Sequence, residues 1–382
     1  MAEPLKNSFG PEVVERIGRS LAAAQPGFDE VGFVAQCLRG FDELELTPRA
    51  RQIADVMADH LDADRALALQ TVIDSVSDEA LAADLGPDTA ESTTNKSNAM
   101  SGFFYLPHVF FVTAHGLDHF ELAMDAQHLL TRRFTAEFSI RAYLEHHTEA
   151  TLVRLREWTL DPSEHVRRLV SEGTRPRLPW ASRLKEFQRD PAPVLELLEL
   201  LKDDESEYVR RSVANNLNDI AKDHPELIVG VAQRWWTDGD DNRRRLIRHG
   251  LRSLIKAGDP GALGILGYVA DSPLEIHAVS IEPATARIGE TVKLVIELTN
   301  PTDTPVGGLV DLAIHFVKAN GSTSSKVFKG SEIVAPSGGS AVIRKSVSVA
   351  QQSTRTHYPG EHAVDVLING VPHRVGAFTL EA

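Results

Sequence analysis

Apolar residues recur at helical spacing through the first two thirds of the chain and at strand spacing through the last third. Residues 11–24 (PEVVERIGRSLAAA) and 28–39 each carry one apolar face, and Gln25-Pro26-Gly27 breaks between them. Two further helices are expected at about 48–60 and 62–76. The acidic, alanine-rich stretch from Ser77 to Ser101 follows neither period and reads as a long polar loop. From Phe103 to about Ala270 nearly everything reads as helix, with breaks expected at Pro107, Asp161-Pro162, Thr174 to Pro179, Pro191, Pro225 and Asp259-Pro260. After Asp271 the pattern alternates: ETVKLVIELTN, LVDLAIHFV, SAVIRKSVSV, HAVDVLING and HRVGAFTL each place apolar residues on one face of a strand. About seven short strands, with Asn369-Gly370 as a hairpin turn and Tyr358-Pro-Gly resembling a tyrosine corner, predict an immunoglobulin-like sandwich.

The helical part is also self-similar. HVRRLVSEG (165–173) aligns with YVRRSVANN (208–216) at a spacing of 43, and NRRRLIRHG (242–250) lies 34 residues further on. FSIRAYL (138–144) is a fainter fourth copy. An apolar pair following a basic pair, once per helical hairpin, is the signature of a HEAT-type solenoid. The predicted fold is therefore mostly α: a HEAT-like α-α repeat solenoid followed by a C-terminal Ig-like β-sandwich. The expected domains are a helical region at 1–100, a repeat region at 101–271 and the sandwich at 272–382.

Composition narrows the function. One cysteine, Cys37, excludes an internal disulfide framework and fits a reducing compartment. No secretory signal is expected from MAEPLKNSFG, and no segment has the length and apolarity of a membrane span. A soluble, cytoplasmic protein is expected. The net charge of −14 argues against nucleic acid until its distribution is considered. Residues 1–100 carry 8 Lys+Arg against 18 Asp+Glu, whereas residues 150–259 carry 20 against 19. A locally basic face matters more for phosphate than the total does.

The run from Trp158 to Trp180 (WTLDPSEHVRRLVSEGTRPRLPW) concentrates the candidate chemistry. Val166, Leu169 and Val170 give a short helix one apolar face, and the Pro-rich TRPRLP that follows cannot continue it. Arg167, Arg168, Arg175 and Arg177 lie here, and Arg210, Arg211, Arg244, Arg245 and Arg248 lie in the matched repeats. They form either a stripe that follows a phosphate backbone, with Asn215 as an added hydrogen-bonder, or a solvated face paired with neighbouring glutamates. Trp180 reads as a surface for a sugar or base, against the ordinary alternative of core filling. Glu121, Glu157 and Asp203 are spaced by 36 and 46 residues, each about one repeat, which could bring all three to one place. Carboxylates so placed can stabilise a developing cation and orient a water, although Asp203 also suits a helix start. His115 and His119 lack the glutamate of a zinc-binding HExxH helix, so no metal and no cofactor are expected. No phosphate-binding glycine loop or nucleophile elbow is present.

SEGTRPRLPW (171–180), LTRRFTAEFSIR (130–141) and YVRRSVANNLNDIAKDHP (208–225) resemble the HEAT-like-repeat DNA glycosylases, and the trailing Ig-like domain points to their AlkC branch. The resemblance implies hydrolysis of the N-glycosidic bond of cationic alkylated bases (3-methyladenine, 3-methylcytosine, 1-methyladenine) in double-stranded DNA, without base flipping and by a monomer. It implies Glu121, Glu157 and Asp203 as the acidic cluster and Trp158 as a sugar-facing aromatic. The sandwich is expected to add a second DNA contact through Lys326, Lys329, Arg344 or Lys345. The alternative is a non-catalytic HEAT scaffold that binds DNA or protein.

Overall fold

The computed structural model describes Lys6 and residues 9–76, 103–352 and 355–382. The polar stretch from Ser77 to Ser101 lies outside the described residues. The chain divides into two compact units, Met1–Ile220 and Ala221–Ala382.

The first unit is built from α1 (Pro11–Ala24), α2 (Glu30–Cys37), α3 (Leu46–His60), α4 (Arg65–Ser75), α5 (Leu106–His115), α6 (Phe120–Thr131), α7 (Ser139–His146), α8 (Thr148–Trp158), α9 (Glu164–Gly173), α10 (Lys185–Arg189), α11 (Ala192–Leu201) and α12 (Glu207–Ile220). Their apolar faces set two rows. The helices α4, α6, α9 and α12 pack in succession, while α3, α5, α7 with α8, and α11 form the other row. Each repeat thus contributes to both rows, one of them with the two helices α7 and α8 on the same side, the arrangement of a HEAT-like solenoid. Val166, Leu169 and Val170 of α9 are fully buried, as are Val209 and Val213 of α12. Burying each such side chain is worth about 2 kcal/mol. Pro107 is not a break but sits in the first turn of α5, where its missing N–H costs nothing.

The second unit holds α13 (Pro225–Thr237), α14 (Asp241–Gly250), α15 (Arg252–Ala257) and α16 (Pro260–Ile265), then, among the described residues, eight strands. These are β1 (Glu275–Glu282), β2 (Thr285–Arg287), β3 (Thr291–Thr299), β4 (Val306–Val317), β5 (Thr323–Ala335), β6 (Ser340–Ser348), β7 (Gly360–Ile368) and β8 (Val371–Glu381). One sheet has the order β1-β3-β6 and the other β2-β8-β7-β4-β5. Val292, Leu294, Ile296 and Leu298 face Ile314, Val364 and Val366 in an apolar core between the sheets. Asn369 and Gly370 both have positive φ and join β7 to β8 with Ile368 opposite Val371, as a type I′ hairpin demands. Among the described residues Tyr358 shows no tyrosine-corner hydrogen bond. Its hydroxyl has no hydrogen-bond partner among them, and its carbonyl accepts a hydrogen bond from His362 Nε2 at 3.2 Å. Among the described residues no helix is long and apolar enough to cross a membrane.

Candidate active site

Three turns of the first unit carry the predicted acids. Glu121 lies in the first turn of α6, just after the α5–α6 turn. Glu157 lies in the last turn of α8, just before the α8–α9 turn, and Asp203 lies in the α11–α12 turn. Because the hairpins stack in register, these turns fall at the same end of three successive repeats. The spacing of about one repeat therefore reflects the shared edge and not equivalent positions on one helix.

Arg154, one turn before Glu157 on α8, joins two of them. Its Nη2 lies 2.5 Å from Glu121 Oε2 and its Nε 3.3 Å from Glu157 Oε2. The carboxylates are open to solvent, with 75% and 66% of the side chain exposed, whereas Arg154 is only 20% exposed. A largely covered guanidinium thus holds two accessible acids at a set separation, as its planar fork allows. Asp203 is exposed and lies 3.5 Å from Lys202 Nζ. Sequence reasoning missed Arg154 because it lies outside the repeated VRR pattern; its i, i+3 spacing to Glu157 was the available signal.

The repeated arginines build this edge. Arg167 donates to the carbonyls of Asp161 and Pro162 at 2.8 and 3.1 Å, six and five residues before it. Arg210 repeats the pattern, donating to the carbonyls of Asp204 and Glu205 at 2.5 and 2.8 Å. Arg167 also reaches Asp204 with Nε at 2.7 Å and Nη2 at 3.0 Å, so one side chain ties two successive turns together. That bidentate bond holds the Arg167 guanidinium above its ordinary pKa. Arg211 points outward, 69% exposed, near Glu207.

The remaining arginines of the motif run lie deeper. Arg168 bonds to Glu137 at 2.6 Å and lies over the Tyr208 ring. Arg175 bonds to Glu172 at 2.5 Å and to Asp219 at 2.8 Å, and all three are buried. Ser212 donates to Glu172, and Asn216 donates to the Ser171 carbonyl and to Thr174 Oγ1. Arg141, the arginine of the faintest repeat, donates to the carbonyls of Gly173 and Arg175, at 3.1 and 2.8 Å, and to that of Ser182. Burial lowers its pKa to about 10. These bonds pin both ends of the loop from Thr174 to Ser182.

At the outer end of that loop Trp180 is 95% exposed, with φ at +63°. A tryptophan in the left-handed region with its indole in water is costly twice over, so the surrounding structure must impose it. Arg177 lies against the side-chain amide of Gln188. Trp158, by contrast, is 7% exposed and packs on His128 with ring centroids 5.6 Å apart. His128 Nε2 meets Asp161 Oδ2 at 2.7 Å. Asn215 is half-buried on α12.

In the second unit Arg244 is exposed and lies over the Trp236 ring at 5.5 Å, and Arg245 bonds to Asn242 at 2.6 Å. Arg248 pairs with Glu332, while Lys345 Nζ bonds to the Lys329 carbonyl at 2.7 Å. Lys326 lies over the Phe328 ring, and Arg344 is exposed on β6.

Comparison with known proteins places the chain in a family. Residues 275–382 match the family described as uncharacterised protein YhaZ, C-terminal Ig-like domain. The uncharacterized protein YhaZ of Bacillus subtilis is 33% identical over 367 residues, covering 96% of each chain. The solved structure of the Pseudomonas fluorescens alkylpurine DNA glycosylase AlkC, bound to DNA containing an abasic site analog, is 35% identical, covers 100% of both chains and superposes with a TM-score of 0.86. With whole-length identity to both and a shared solenoid-plus-sandwich fold, the chain belongs to the AlkC and YhaZ family.

Proposed function

We propose that this protein is a monofunctional DNA glycosylase of base excision repair, acting as a monomer on alkylated bases in double-stranded DNA. The observation that carries this reading is the Glu121–Arg154–Glu157 cluster at an accessible edge of the repeats. Its support comes from whole-length similarity to a DNA-bound alkylpurine glycosylase.

An N3-alkylated purine is already cationic, as are 3-methylcytosine and 1-methyladenine, so the base leaves without being protonated. It takes the electron pair of the C1′–N bond and becomes neutral. The charge passes to the sugar, which approaches an oxocarbenium ion. Glu121 and Glu157 would stabilise that charge, with Asp203 as the third acid of the same edge. One carboxylate accepts a proton from the water whose oxygen attacks C1′. Open, solvent-facing acids suit a target that stays in the duplex better than one swung into a snug pocket. Arg154 would fix the distance between the two glutamates. Trp180, Arg211 and Arg244 are the exposed contacts proposed for DNA. Arg167, Arg175 and Arg210 act through the turns and loop they hold. Trp158 would support the edge from beneath, packed on His128, with little of its indole open to a sugar.

Release of free base from methylated duplex DNA by the wild-type protein is the test. No release sinks the reading and leaves a DNA-binding scaffold. Release that persists undiminished in Glu121→Gln, Glu157→Gln and Asp203→Asn sinks only the assignment of the acids.

A further inference from the structure

The second unit contains a cleft lined in part by Arg245, Arg248 and Lys329, which the sequence offers to DNA, but whose apolar floor the glycosylase reading does not use. It has a volume of about 590 Å³ and runs between α14 and α15 on one side and β4 and β5 on the other. Volumes of this order hold drug-sized ligands. Ile255, Leu266 and Leu309 give it an apolar floor, with Tyr268 beside them.

Its walls are cationic. Arg245, Arg248 and Lys256 come from the helices and Lys329 from β5, against two carboxylates, Asp311 and Glu332. Among the described residues only Glu332 is matched by a cation within ion-pair distance, whereas Asp311 is held by a backbone amide and lies in the field of Lys329 and Lys256. Glu332 is paired with Arg248, and Asp311 accepts the Gly330 N–H at 2.7 Å. Among the described residues Arg245, Lys256 and Lys329 form no ion pair, in a chain whose net charge is −14.

The two walls are also joined firmly. Asn369 accepts the Leu309 N–H and donates to the Val269 carbonyl, both at 2.8 Å. Gly258, which ends α15, approaches Gly370 so closely that a Cβ on Gly258 would lie 2.9 Å from the Gly370 Cα. The result is a concave site in which cations without an ion pair among the described residues stand over an apolar floor.

We propose that this cleft binds a small phosphorylated organic anion of nucleotide size, its phosphate among Lys256, Lys329 and Arg245 and its flat apolar body against Tyr268 and Leu309. A phosphodiester backbone would meet the cations at the rim and leave the floor empty, whereas a nucleoside phosphate fills both. The proposal does not depend on the glycosylase reading.

Titration calorimetry of the full chain with adenosine monophosphate, adenosine and inorganic phosphate tests it. The expected result is binding of the monophosphate, at least tenfold weaker binding of adenosine and of phosphate, and at least tenfold loss of monophosphate affinity in the double variant Lys256→Glu, Lys329→Glu. Both lysines are exposed, so the variant should melt like wild type, and Lys256→Gln, Lys329→Gln repeats the test without charge reversal. Failure of the monophosphate to bind at millimolar concentration, or affinity unchanged in a folded variant, overturns the proposal. So does a variant that loses only duplex DNA affinity, which would make the cleft part of the DNA surface.

Discussion

Arg154 joins Glu121 to Glu157 across 36 residues of sequence, with its Nη2 2.5 Å from the first carboxylate and its Nε 3.3 Å from the second. Exposed ion pairs contribute about 0.5 kcal/mol to stability, so this arrangement has little to offer folding. On the proposed reading its value lies in setting where two acids sit.

Arg154→Gln should therefore lower kcat/KM for base release by roughly 10- to 100-fold while shifting the unfolding free energy by less than about 1 kcal/mol. Arg154→Lys should recover only part of the loss, because an ammonium lacks the planar fork. Single-turnover base release and urea denaturation measure the two effects. Equal activity in wild type and Arg154→Gln would remove the positioning role.

Trp180 is the sharpest contrast between stability and use. Trp180→Gly removes an exposed indole and relieves a positive φ, so stability should stay level or rise by up to about 1 kcal/mol. Affinity for duplex DNA should nevertheless fall several-fold. Fluorescence titration of the wild-type protein should also show the indole quenched on adding DNA.

Arg175 should behave in the opposite way. Arg175→Met leaves Glu172 and Asp219 buried without their partner, which typically costs about 3–5 kcal/mol. Chemical denaturation should show a large fall in midpoint, and an Asp219→Asn change in the same background should return part of it.

Gly173 is fixed by space, not by its backbone angle. A Cβ there would lie 2.5 Å from Ile140 Cγ2, so Gly173→Ala should destabilise by about 1–3 kcal/mol. The combination with Ile140→Val should recover some of that stability if the clash is the cause, and thermal melting of the three variants decides it.

Stability should fall on the acid side through buried histidines. His108 is fully buried, and burial, only partly offset by the Phe104 backbone, lowers its pKa from 6.5 to about 4. The folded state then binds fewer protons than the unfolded one between those values. Stability is retained above pH 6.5 and is lost as pH falls toward 4, by on the order of 3 kcal/mol. His357 and His362 in the sandwich are lowered in the same direction, also by burial. Comparing wild type with His108→Leu by denaturation at pH 7 and pH 5 should show a smaller acid loss in the variant.

Elements were legible where the local pattern is strong. The helices at 11–24 and 164–173, the strand at 291–299 and the Asn369-Gly370 turn follow from periodicity and turn chemistry. The strand β5 was not read, because it is the outer strand of its sheet, largely exposed, and carries serines and lysines where a central strand carries apolar residues. The acids of the candidate site were visible as residue types, but Arg154, which joins two of them, was not.

By itself the sequence determined the two fold classes, their order and the repeated VRR units, because hydrophobic period and turn residues act over a few positions. Only the tertiary structure decided what each arginine does. Arg167 and Arg210 occupy matched positions and tie turns, Arg175 is buried between two acids, and Arg211 faces water. The physical reason is that an ion pair depends on the partner's distance and burial. The partners here, Asp204 for Arg167 and Asp219 for Arg175, come from about one repeat further along the chain.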